Sequence, residues 1–288
     1  MFSLEEEDLL KILPKNGPSA EEVKKYLDKY NNEFIVIKCG GSILIDPNLF
    51  HIFIQNIAVL NKLGFNPVIV HGGGKRINNK LSELNIKSSF IKGLRVTDKN
   101  IISIVEDVLI NFNKEIVNAL KNASCQARRV TSKEYNIITV IPQNKELGFV
   151  GIPTHIKTNV LKEIVNAKEV PVIAPLGLDK NNQTFNINAD TAASSIAKEL
   201  KARRLMIISD VEGVLDSKKK LIPEINSNKA KELIDQEVVS GGMIPKINNC
   251  LDVASNGVKG VVIIDGRKNH SLLFELLSDK GSGTLIRK

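Results

Sequence analysis

The chain has few of the features that build a crosslinked or membrane-spanning protein. Its 288 residues include three cysteines and no tryptophan, and no apolar run approaches the ~20 residues that cross a bilayer. Cys39, Cys125 and Cys250 lie far apart without a C-x-x-C pair, which argues against a zinc site or a disulfide framework. The N-terminus is acidic where a signal peptide would be basic. We therefore expect a soluble, cytoplasmic protein without a membrane partner.

A concentrated block of basic residues is also missing, although the net charge is +8 and the pI is about 9.2. The lysines are spread along the chain beside many Asp and Glu residues, whereas nucleic-acid binding requires clustered positive charge. We therefore expect no nucleic-acid partner. A moderately basic balance instead suits an enzyme that binds a triphosphate.

Two patterns divide the chain near residue 33. Residues 1–32 are predicted to form a helical extension, with one helix over Leu4–Leu13 and a second from Ser19, where Glu22 completes a capping box. From residue 33 to 288, short apolar runs alternate with helical stretches, which predicts a single domain. Runs that are apolar on both faces indicate a three-layer α/β/α sandwich with a mainly parallel central sheet. The predicted strands are 34–38, 66–70, 136–140, 170–177, 203–210 and 259–266, and the predicted helices are 49–63, 99–122, 190–201, 228–237 and 245–256.

Two glycine-rich motifs follow predicted strands. KCGGS (38–42) and HGGGK (71–75) place consecutive glycines at strand ends, where backbone amides can approach a bulky anion. Neither is a Walker A loop, nor does G-x-G-x-x-G occur, because position 77 is Ile. The first motif is equally compatible with a tight turn. His71 is compatible with packing as well as with chemistry.

Four further motifs carry charged or amide side chains near predicted loops. NINAD (186–190) opens a helix that Asp190 could cap, alone or together with a role in the site. SGGMIPK (240–246) leads into a helix through Pro245, which places Lys246 near the helix end that binds anions. GLRVTD (93–98) offers Arg95 as a clamp for a carboxylate, before a helix that Thr97 or Asp98 could cap. SDVEGVL (209–215) is either a nucleotide-side loop or an ordinary connection.

In this order along the chain, these six motifs resemble the amino acid kinase family, and within it the acetylglutamate kinases. The resemblance covers residues 34–288. It implies a single α/β/α sandwich whose N-terminal part binds an acylated amino acid and whose C-terminal part binds ATP. The implied reaction is ATP-dependent phosphorylation of the side-chain carboxylate of N-acetyl-L-glutamate, in arginine biosynthesis. ATP would be accompanied by Mg²⁺, held mainly by phosphates and water.

The resemblance also implies roles for individual residues. Lys38 and Lys246 would stabilise the transferred phosphoryl group, and Asp190 would hold both lysines in place. No protein metal ligand is implied, and no general base is needed because a carboxylate with a reference pKa near ~4.3 is already ionised. The residues implied to bind the amino acid are Gly73, Gly74, Arg95 and Asn186, and those implied to lie beside ATP are Gly40, Gly41, Ser209, Asp210, Gly213, Leu215 and Gly242.

Two other functions remain open at this point. One is a kinase for a related acylated amino acid, such as an aminoadipate derivative. The other is a non-catalytic kinase-like domain that senses amino acids, against which the presence of Lys38, Lys246 and Asp190 argues. The ending KGSGTLIRK also resembles the kinase-like domain of bifunctional acetylglutamate synthase/kinases. The chain is then either a free-standing kinase or the kinase piece of a longer protein, and we expect no acetyltransferase activity from it.

Assembly and regulation are suggested by the resemblance alone. It implies a homo-oligomer built from dimers, either a tetramer or a hexamer, and a PII regulatory protein as a partner by analogy. In arginine-inhibited relatives an N-terminal helix links dimers, and residues 1–32 could serve that purpose. His270 resembles part of their arginine site, but Lys280 stands where an acidic residue is usual. Because a lysine repels a guanidinium, the sequence leaves arginine inhibition of the familiar kind an open hypothesis, which an arginine titration of the activity would decide.

Overall fold

The computed structural model describes residues 5–241 and 243–288. Within those ranges, helices and strands alternate along most of the chain. A short 3₁₀ turn, Gly41–Leu44, follows the first strand. The elements in chain order are α1 (Glu6–Ile12), α2 (Ala20–Tyr30), β1 (Phe34–Cys39), α3 (Pro47–Lys62), β2 (Asn66–His71), α4 (Gly74–Glu83), β3 (Phe90–Ile91), β4 (Leu94–Arg95), α5 (Lys99–Asn122), β5 (Ala127–Val130), β6 (Ile138–Pro142), β7 (Gly151–Ile156), α6 (Thr158–Asn166), β8 (Val170–Ile173), β9 (Leu176–Leu178), β10 (Thr184–Asn186), α7 (Ala189–Leu200), β11 (Arg204–Ser209), β12 (Glu224–Ile225), α8 (Ser227–Asp235), α9 (Met243–Ser255), β13 (Val261–Asp265), α10 (Ser271–Leu277) and β14 (Gly283–Ile286).

The central sheet has eight strands in the order β12-β14-β13-β11-β1-β2-β8-β5. From β13 through β5 neighbouring strands are parallel, and β14 pairs antiparallel with β13. Successive side chains of β1 face opposite layers: Ile35 and Ile37 enter one hydrophobic core and Val36 enters the other. Burial on both faces explains the uniformly apolar strands and confirms the predicted α/β/α sandwich.

The N-terminal helices pack on the main body rather than projecting from it. Ser19 and Glu22 form the predicted capping box at the start of α2. Val23 and Tyr30 of α2 are buried in the same core as side chains of α3 and α10. The Tyr26 hydroxyl donates a hydrogen bond to Asp279 Oδ1 at 2.7 Å, which joins α2 to the chain after α10.

The predicted strand 136–140 corresponds to β6, which lies in a second, smaller sheet and not in the central one. This smaller sheet has the strand order β10-β9-β6-β7, and β3 and β4 form a separate antiparallel pair. These strands are two to six residues long and several are half-exposed, so their hydrophobic signal is weak. They matter because Arg95 ends β4 and Asn186 ends β10.

The register of the central strands brings the sequence motifs together. Cys39 at the end of β1 is opposite His71 at the end of β2, and Gly72 N donates to Cys39 O at 2.8 Å. On the other side of β1, Ser209 at the end of β11 is opposite Asp265 of β13. Parallel strands present their carboxyl ends at one edge, where ligands bind in such sheets. No helix within the described residues is long and apolar enough to cross a membrane.

Candidate active site

A cavity of about 300 Å³ opens at the carboxyl ends of β1 and β2. Its wall combines the two glycine motifs, the β3–β4 hairpin, α5 and the segment that leads into α7. Phe90, Leu94, Leu109, Phe112 and Val150 supply apolar surface. Of the residues predicted from the sequence, the cavity is lined by Lys38, Gly40, Gly41, Gly73, Gly74, Arg95 and Asn186.

The charged groups of this wall are all positive. Lys38, Lys75, Arg76 and Arg95 line the cavity, and no Asp or Glu does. Glu115 neutralises Arg76 at 2.8 Å. Among the described residues, no carboxylate lies within 4.0 Å of Lys75 or Arg95. The cavity therefore keeps uncompensated positive charge and is electrostatically suited to an anion with more than one carboxylate.

Lys38 is held at the boundary of the cavity by Asp190. Its Nζ lies 2.9 Å from Asp190 Oδ1, and its side chain is 15% exposed. The contact has the length of an ion pair. A Cβ built on Gly40 would lie 2.7 Å from Lys38 Nζ. Glycine at position 40 thus leaves room for the ammonium group, which a larger residue would displace.

Lys246 reaches the same edge of the sheet from α9. Its Nζ donates to Ser209 Oγ at 3.2 Å, at the end of β11. Asp190 and Lys246 both lie close enough to Cys250 to act on its thiol electrostatically. Nevertheless, among the described residues Asp190 forms an ion pair with Lys38 and with no second lysine. In this structure Ser209, not Asp190, is the group that contacts Lys246.

The cap of α7 differs from one of the sequence interpretations. Asn188, and not Asp190, is the N-cap, and its Oδ1 accepts hydrogen bonds from Asp190 N at 2.9 Å and Thr191 N at 3.1 Å. Asp190 is instead a first-turn residue. Its carboxylate therefore does not cap the helix and forms an ion pair with Lys38. In α5, Asp98 is the N-cap, one of the two residues considered from the sequence.

Arg95 is oriented entirely by neutral groups. It is 7% exposed and donates to Ser88 Oγ, to Gly74 O at 3.1 Å and to Asn78 Oδ1 at 2.7 Å. The Phe90 ring lies 4.7 Å from the centre of its guanidinium. Burial lowers the pKa of Arg95, but a guanidinium stays protonated in proteins. An ordered cation without an acidic partner is arranged to receive a carboxylate from a ligand.

Asn186 is connected to Arg95 through a residue that does not line the cavity. Its Nδ2 donates to Thr97 Oγ1 at 3.3 Å, and Thr97 Oγ1 donates to Arg95 O at 3.0 Å. The backbone of Asn186 also donates to Phe149 O at 2.9 Å. Sequence reasoning considered Thr97 only as a helix cap. Its neighbours in space are Leu147 and Phe149, in the connection between β6 and β7, and Asn186 at the end of β10. They lie about 50 and 90 residues farther along the chain, which no local pattern reveals.

His71 is a structural residue of this edge. It is fully buried, its Nδ1 lies 3.1 Å from Gly72 O, and its Nε2 lies 3.2 Å from Asn113 Nδ2. Asn113 Nδ2 also donates to Val172 O at 2.8 Å. Burial lowers the pKa of His71 to about 4, so the ring is neutral at physiological pH. Of the two interpretations of His71, packing and hydrogen bonding of the glycine loop agrees with these contacts.

The predicted nucleotide side is joined to the first glycine motif by Asp210. Asp210 Oδ1 accepts hydrogen bonds from Ser42 N at 3.0 Å and Ser42 Oγ at 2.6 Å. Burial would raise the pKa of Asp210, but the Ser42 hydrogen bonds and nearby positive charges hold it below its usual value. Gly41 has φ +70°, and a Cβ there would lie 2.6 Å from Asp210 Oδ1. Both facts favour glycine at this position.

The remaining predicted nucleotide residues lie outside the cavity. Ser209, Asp210, Gly213 and Leu215 do not line it, and neither does Lys246, which was predicted to act on the phosphoryl group. Gly213 has φ +143°, and a Cβ there would lie 2.6 Å from Thr284 Oγ1 of β14, so close packing already accounts for this glycine. Leu215 forms an isolated antiparallel bridge with Leu221. Gly242 lies outside the described residues.

The cysteines show no sign of reactive chemistry. Cys39, Cys125 and Cys250 are unpaired and buried. Burial raises the pKa of the Cys39 thiol to about 12, which is far from the low pKa of a reactive thiolate. Cys39 beside Lys38 is thus a packing residue, as expected. Within residues 5–241 and 243–288, no group of three His, Cys, Asp or Glu side chains could hold a metal ion.

Comparison with known proteins agrees with the motif order. The sequence profile of the amino acid kinase family matches residues 33–265. The chain belongs to the amino acid kinase family. It is 77% identical, over the full length of both chains, to an acetylglutamate kinase of Pelagibacter ubique. It is 45% identical to an acetylglutamate kinase of Lawsonia intracellularis, over 91% of this chain and 93% of that protein.

The same fold occurs in the solved structure of an enzyme with a different name. N-acetylglutamate synthase of Neisseria gonorrhoeae, complexed with coenzyme A and N-acetyl-glutamate, matches with a TM-score of 0.83 and 22% identity. The match covers 93% of this chain and 62% of the synthase chain, so this chain spans less than two thirds of that structure. At this level of identity the likeness shows the shared amino acid kinase fold and nothing about catalysis.

Proposed function

We propose that this protein is an ATP-dependent kinase that phosphorylates the side-chain carboxylate of N-acetyl-L-glutamate, a reaction of arginine biosynthesis. The observation that carries the proposal is the cavity at the ends of β1 and β2, whose wall holds four cationic side chains and no carboxylate. N-acetylglutamate is a dianion with a short aliphatic stem and an amide. A cavity with two cations free of acidic partners and an apolar wall matches that chemistry.

The amino acid would lie with its α-carboxylate on Arg95 and its reacting carboxylate toward Lys38. Arg95 is buried and already held by Ser88, Asn78 and Gly74 O, so little ordering entropy is lost when a carboxylate binds. Asn186 would receive the acetylamino group, and the Gly73–Gly74 backbone would contact the ligand where a Cβ is absent. This arrangement supports the assignment of Gly73, Gly74, Arg95 and Asn186 as substrate-binding residues.

The phosphoryl group would pass from ATP to the acceptor carboxylate beside the two lysines. Lys38, fixed by Asp190, and Lys246, fixed by Ser209, would compensate negative charge on the transferring group. Asp190 would act by positioning Lys38. The acceptor carboxylate is ionised at neutral pH, and His71 is fully buried, so neither removal of a proton nor a histidine base is part of the mechanism.

The nucleotide would lie at the ends of β1 and β11. The amide groups of Gly40 and Gly41 would face its phosphates, and the positive φ of Gly41 is the backbone conformation that exposes them. Ser209, Asp210, Gly213, Leu215 and Gly242 are proposed to surround the rest of the nucleotide. Bound Mg²⁺ would neutralise phosphate charge. It would be held mainly by phosphates and water, since magnesium commonly keeps such ligands.

The deciding experiment is an acyl-phosphate trapping assay. Purified protein, MgATP and hydroxylamine should yield a hydroxamate with N-acetylglutamate, and far less with N-acetylaminoadipate or glutamate. A preference for the aminoadipate derivative would assign the related kinase activity instead. No hydroxamate with any acceptor, in protein that binds N-acetylglutamate by calorimetry, would indicate an amino-acid-sensing domain and refute the proposed catalysis.

Organisation and assembly are proposed on the same family basis. Residues 33–288 would form the catalytic domain, with its N-terminal part on the amino acid and its C-terminal part on ATP, and residues 1–32 a helical extension. We expect a cytoplasmic homo-oligomer built from dimers, as a tetramer or a hexamer, and a PII regulator remains a partner by analogy. Light scattering during size-exclusion chromatography would determine the assembly, and a monomer would contradict the proposal.

A further inference from the structure

Thr97 lies between two cavity residues without lining the cavity itself. It is fully buried in the turn between β4 and α5. Its backbone N–H donates to Leu147 O at 3.0 Å, and its carbonyl accepts from Phe149 N at 2.7 Å. These main-chain bonds fix the backbone of Thr97, and its hydroxyl oxygen contacts both Arg95 O and the Asn186 amide. The direction of the single hydroxyl proton then remains to be decided.

The partners of the hydroxyl decide that direction. Thr97 Oγ1 lies 3.0 Å from Arg95 O. A carbonyl oxygen is only an acceptor, so the hydroxyl must donate there, and a hydroxyl has one proton. Its second neighbour, the amide of Asn186 at 3.3 Å, must therefore donate to it. A flipped amide would bring two acceptors together with no proton between them, and such an unsatisfied buried contact is costly.

The direction of this hydrogen bond also determines which way Oδ1 of Asn186 is turned. With one Nδ2 proton donated to Thr97, Oδ1 is the acceptor that this side chain can offer a ligand, and Asn186 lines the cavity. Among the described residues no donor reaches Asn186 Oδ1. Near the amino group of the substrate, the cavity thus offers a hydrogen-bond acceptor inside a wall that is otherwise positively charged.

We propose that Thr97 is a positioning residue that sets the polarity of the Asn186 amide and thereby makes the site selective for an acylated amine. The inference rests on the proposed function, which places an N-acetylated amino acid in the cavity. An acyl amide offers one neutral N–H to Asn186 Oδ1. A free α-amino group would instead bring a positive charge among Lys38, Lys75 and Arg95, with no carboxylate in the wall.

The first test separates the hydroxyl from the shape of Thr97. Thr97→Val keeps the branched shape and removes the hydroxyl, whereas Thr97→Ser keeps the hydroxyl and removes the methyl group. Because one hydrogen bond and the amide orientation are lost, Thr97→Val should raise the Kd and KM for N-acetylglutamate by roughly tenfold. The serine variant should stay within about twofold of the wild type, and the KM for ATP should change little in either. Equal values for the valine and serine variants would overturn the proposal.

The second test uses a substrate analogue and does not depend on a folded valine variant. In 2-acetoxyglutarate an ester oxygen replaces the amide N–H of N-acetylglutamate. The wild-type protein should bind this ester at least about tenfold more weakly than the amide, since two acceptors would face each other. Asn186→Ala, and Thr97→Val where it is folded, should reduce that ratio toward one. Equal binding of ester and amide by the wild type would refute the acceptor role.

The two failures are distinguishable. If the wild type forms no hydroxamate from N-acetylglutamate, the proposed function fails. If it forms hydroxamate normally but does not distinguish ester from amide, the activity stands and only the inference about Thr97 and Asn186 fails. Calorimetric Kd values support this separation because they do not depend on turnover.

Discussion

The two ends of the site treat charge in opposite ways. At the proposed amino-acid end, Arg95 is ordered by a serine, an asparagine and a backbone carbonyl, and no carboxylate lines the cavity. At the proposed nucleotide end, carboxylates are present and already engaged. Asp210 accepts two hydrogen bonds from Ser42, and Arg267 pairs with Asp265 at 2.8 Å.

This difference indicates which protein groups would bind each ligand. The amino-acid end is a preformed cavity with uncompensated positive charge, which favours a small, multiply charged anion. The proposed nucleotide end offers glycine amides and Lys246, whose ammonium group donates a hydrogen bond to the Ser209 hydroxyl. Lys38 belongs to both, because it lines the cavity and lies in β1 just before the first glycine turn. Substitutions in the two regions should therefore give different kinetic signatures.

The largest effect is expected at the lysines shared by the transfer step. Lys38→Ala or Lys246→Ala should lower kcat by about 10²–10³-fold, because each removes a positive charge aimed at the transferring group. Thermal melting should move little in either variant. Lys198→Ala is a matched control, since Lys198 pairs with Asp252 at 3.0 Å away from the cavity, and its kcat should stay normal. Near-normal turnover of the Lys38 variant would remove it from the mechanism.

The next effect should be confined to the amino-acid end. Arg95→Ala should raise the KM for N-acetylglutamate by about 10–100-fold, since hydrogen bonds to charged groups contribute about 1.5–3 kcal/mol. Arg76→Ala is the matched comparison, because Arg76 lines the same cavity but is already neutralised by Glu115. Its KM should rise much less. Equal effects of both substitutions would show that total charge, and not the ordered Arg95, determines binding.

Substitutions in the two glycine turns allow a direct comparison of the two ends of the site. Gly41→Ala should raise the KM for ATP by roughly tenfold and cost about 1–2 kcal/mol of stability, since a left-handed φ disfavours Ala and the Cβ would meet Asp210. Gly73→Ala, whose Cβ would lie 2.5 Å from Leu109 Cδ2, should instead raise the KM for N-acetylglutamate. If both variants alter the same KM, the division into two ends is wrong.

The smallest effect on turnover is expected at His71. Its pKa is lowered by burial to about 4, while the unfolded chain titrates near ~6.5. Between those values the unfolded state binds more protons, so the free energy of unfolding should fall as pH drops from about 6.5 to 4. The contribution is about 2–4 kcal/mol. His71→Gln should flatten this part of the stability curve, measured by denaturant titration, and kcat should show no His71 ionisation between pH 6 and 8. An unchanged slope would contradict the assignment.

Much of the fold could be predicted from local pattern. The helix Lys99–Asn122 was predicted at its observed bounds because its apolar residues recur at helical spacing. The central apolar strands were placed within a few residues. Of the small sheet, the predicted strand 136–140 overlaps β6 and the predicted strand 170–177 reaches into β9. Its other strands and the β3–β4 hairpin were not predicted, because they are short and half-exposed. The motif that supplies Arg95 was recognised, but not the strand that holds it.

The sequence by itself determined the fold class, the family and the identity of the residues that gather at the ends of β1, β2 and β11. These follow from alternation, glycine turns and motif order, which are properties of neighbouring residues. Only the tertiary structure decided that Asn188 caps α7, that Asp190 holds Lys38 while Ser209 holds Lys246, and that Thr97 joins Arg95 to Asn186. Three of these contacts, Lys38–Asp190, Ser209–Lys246 and Thr97–Asn186, span tens to more than a hundred residues, so sheet order and register bring their partners together.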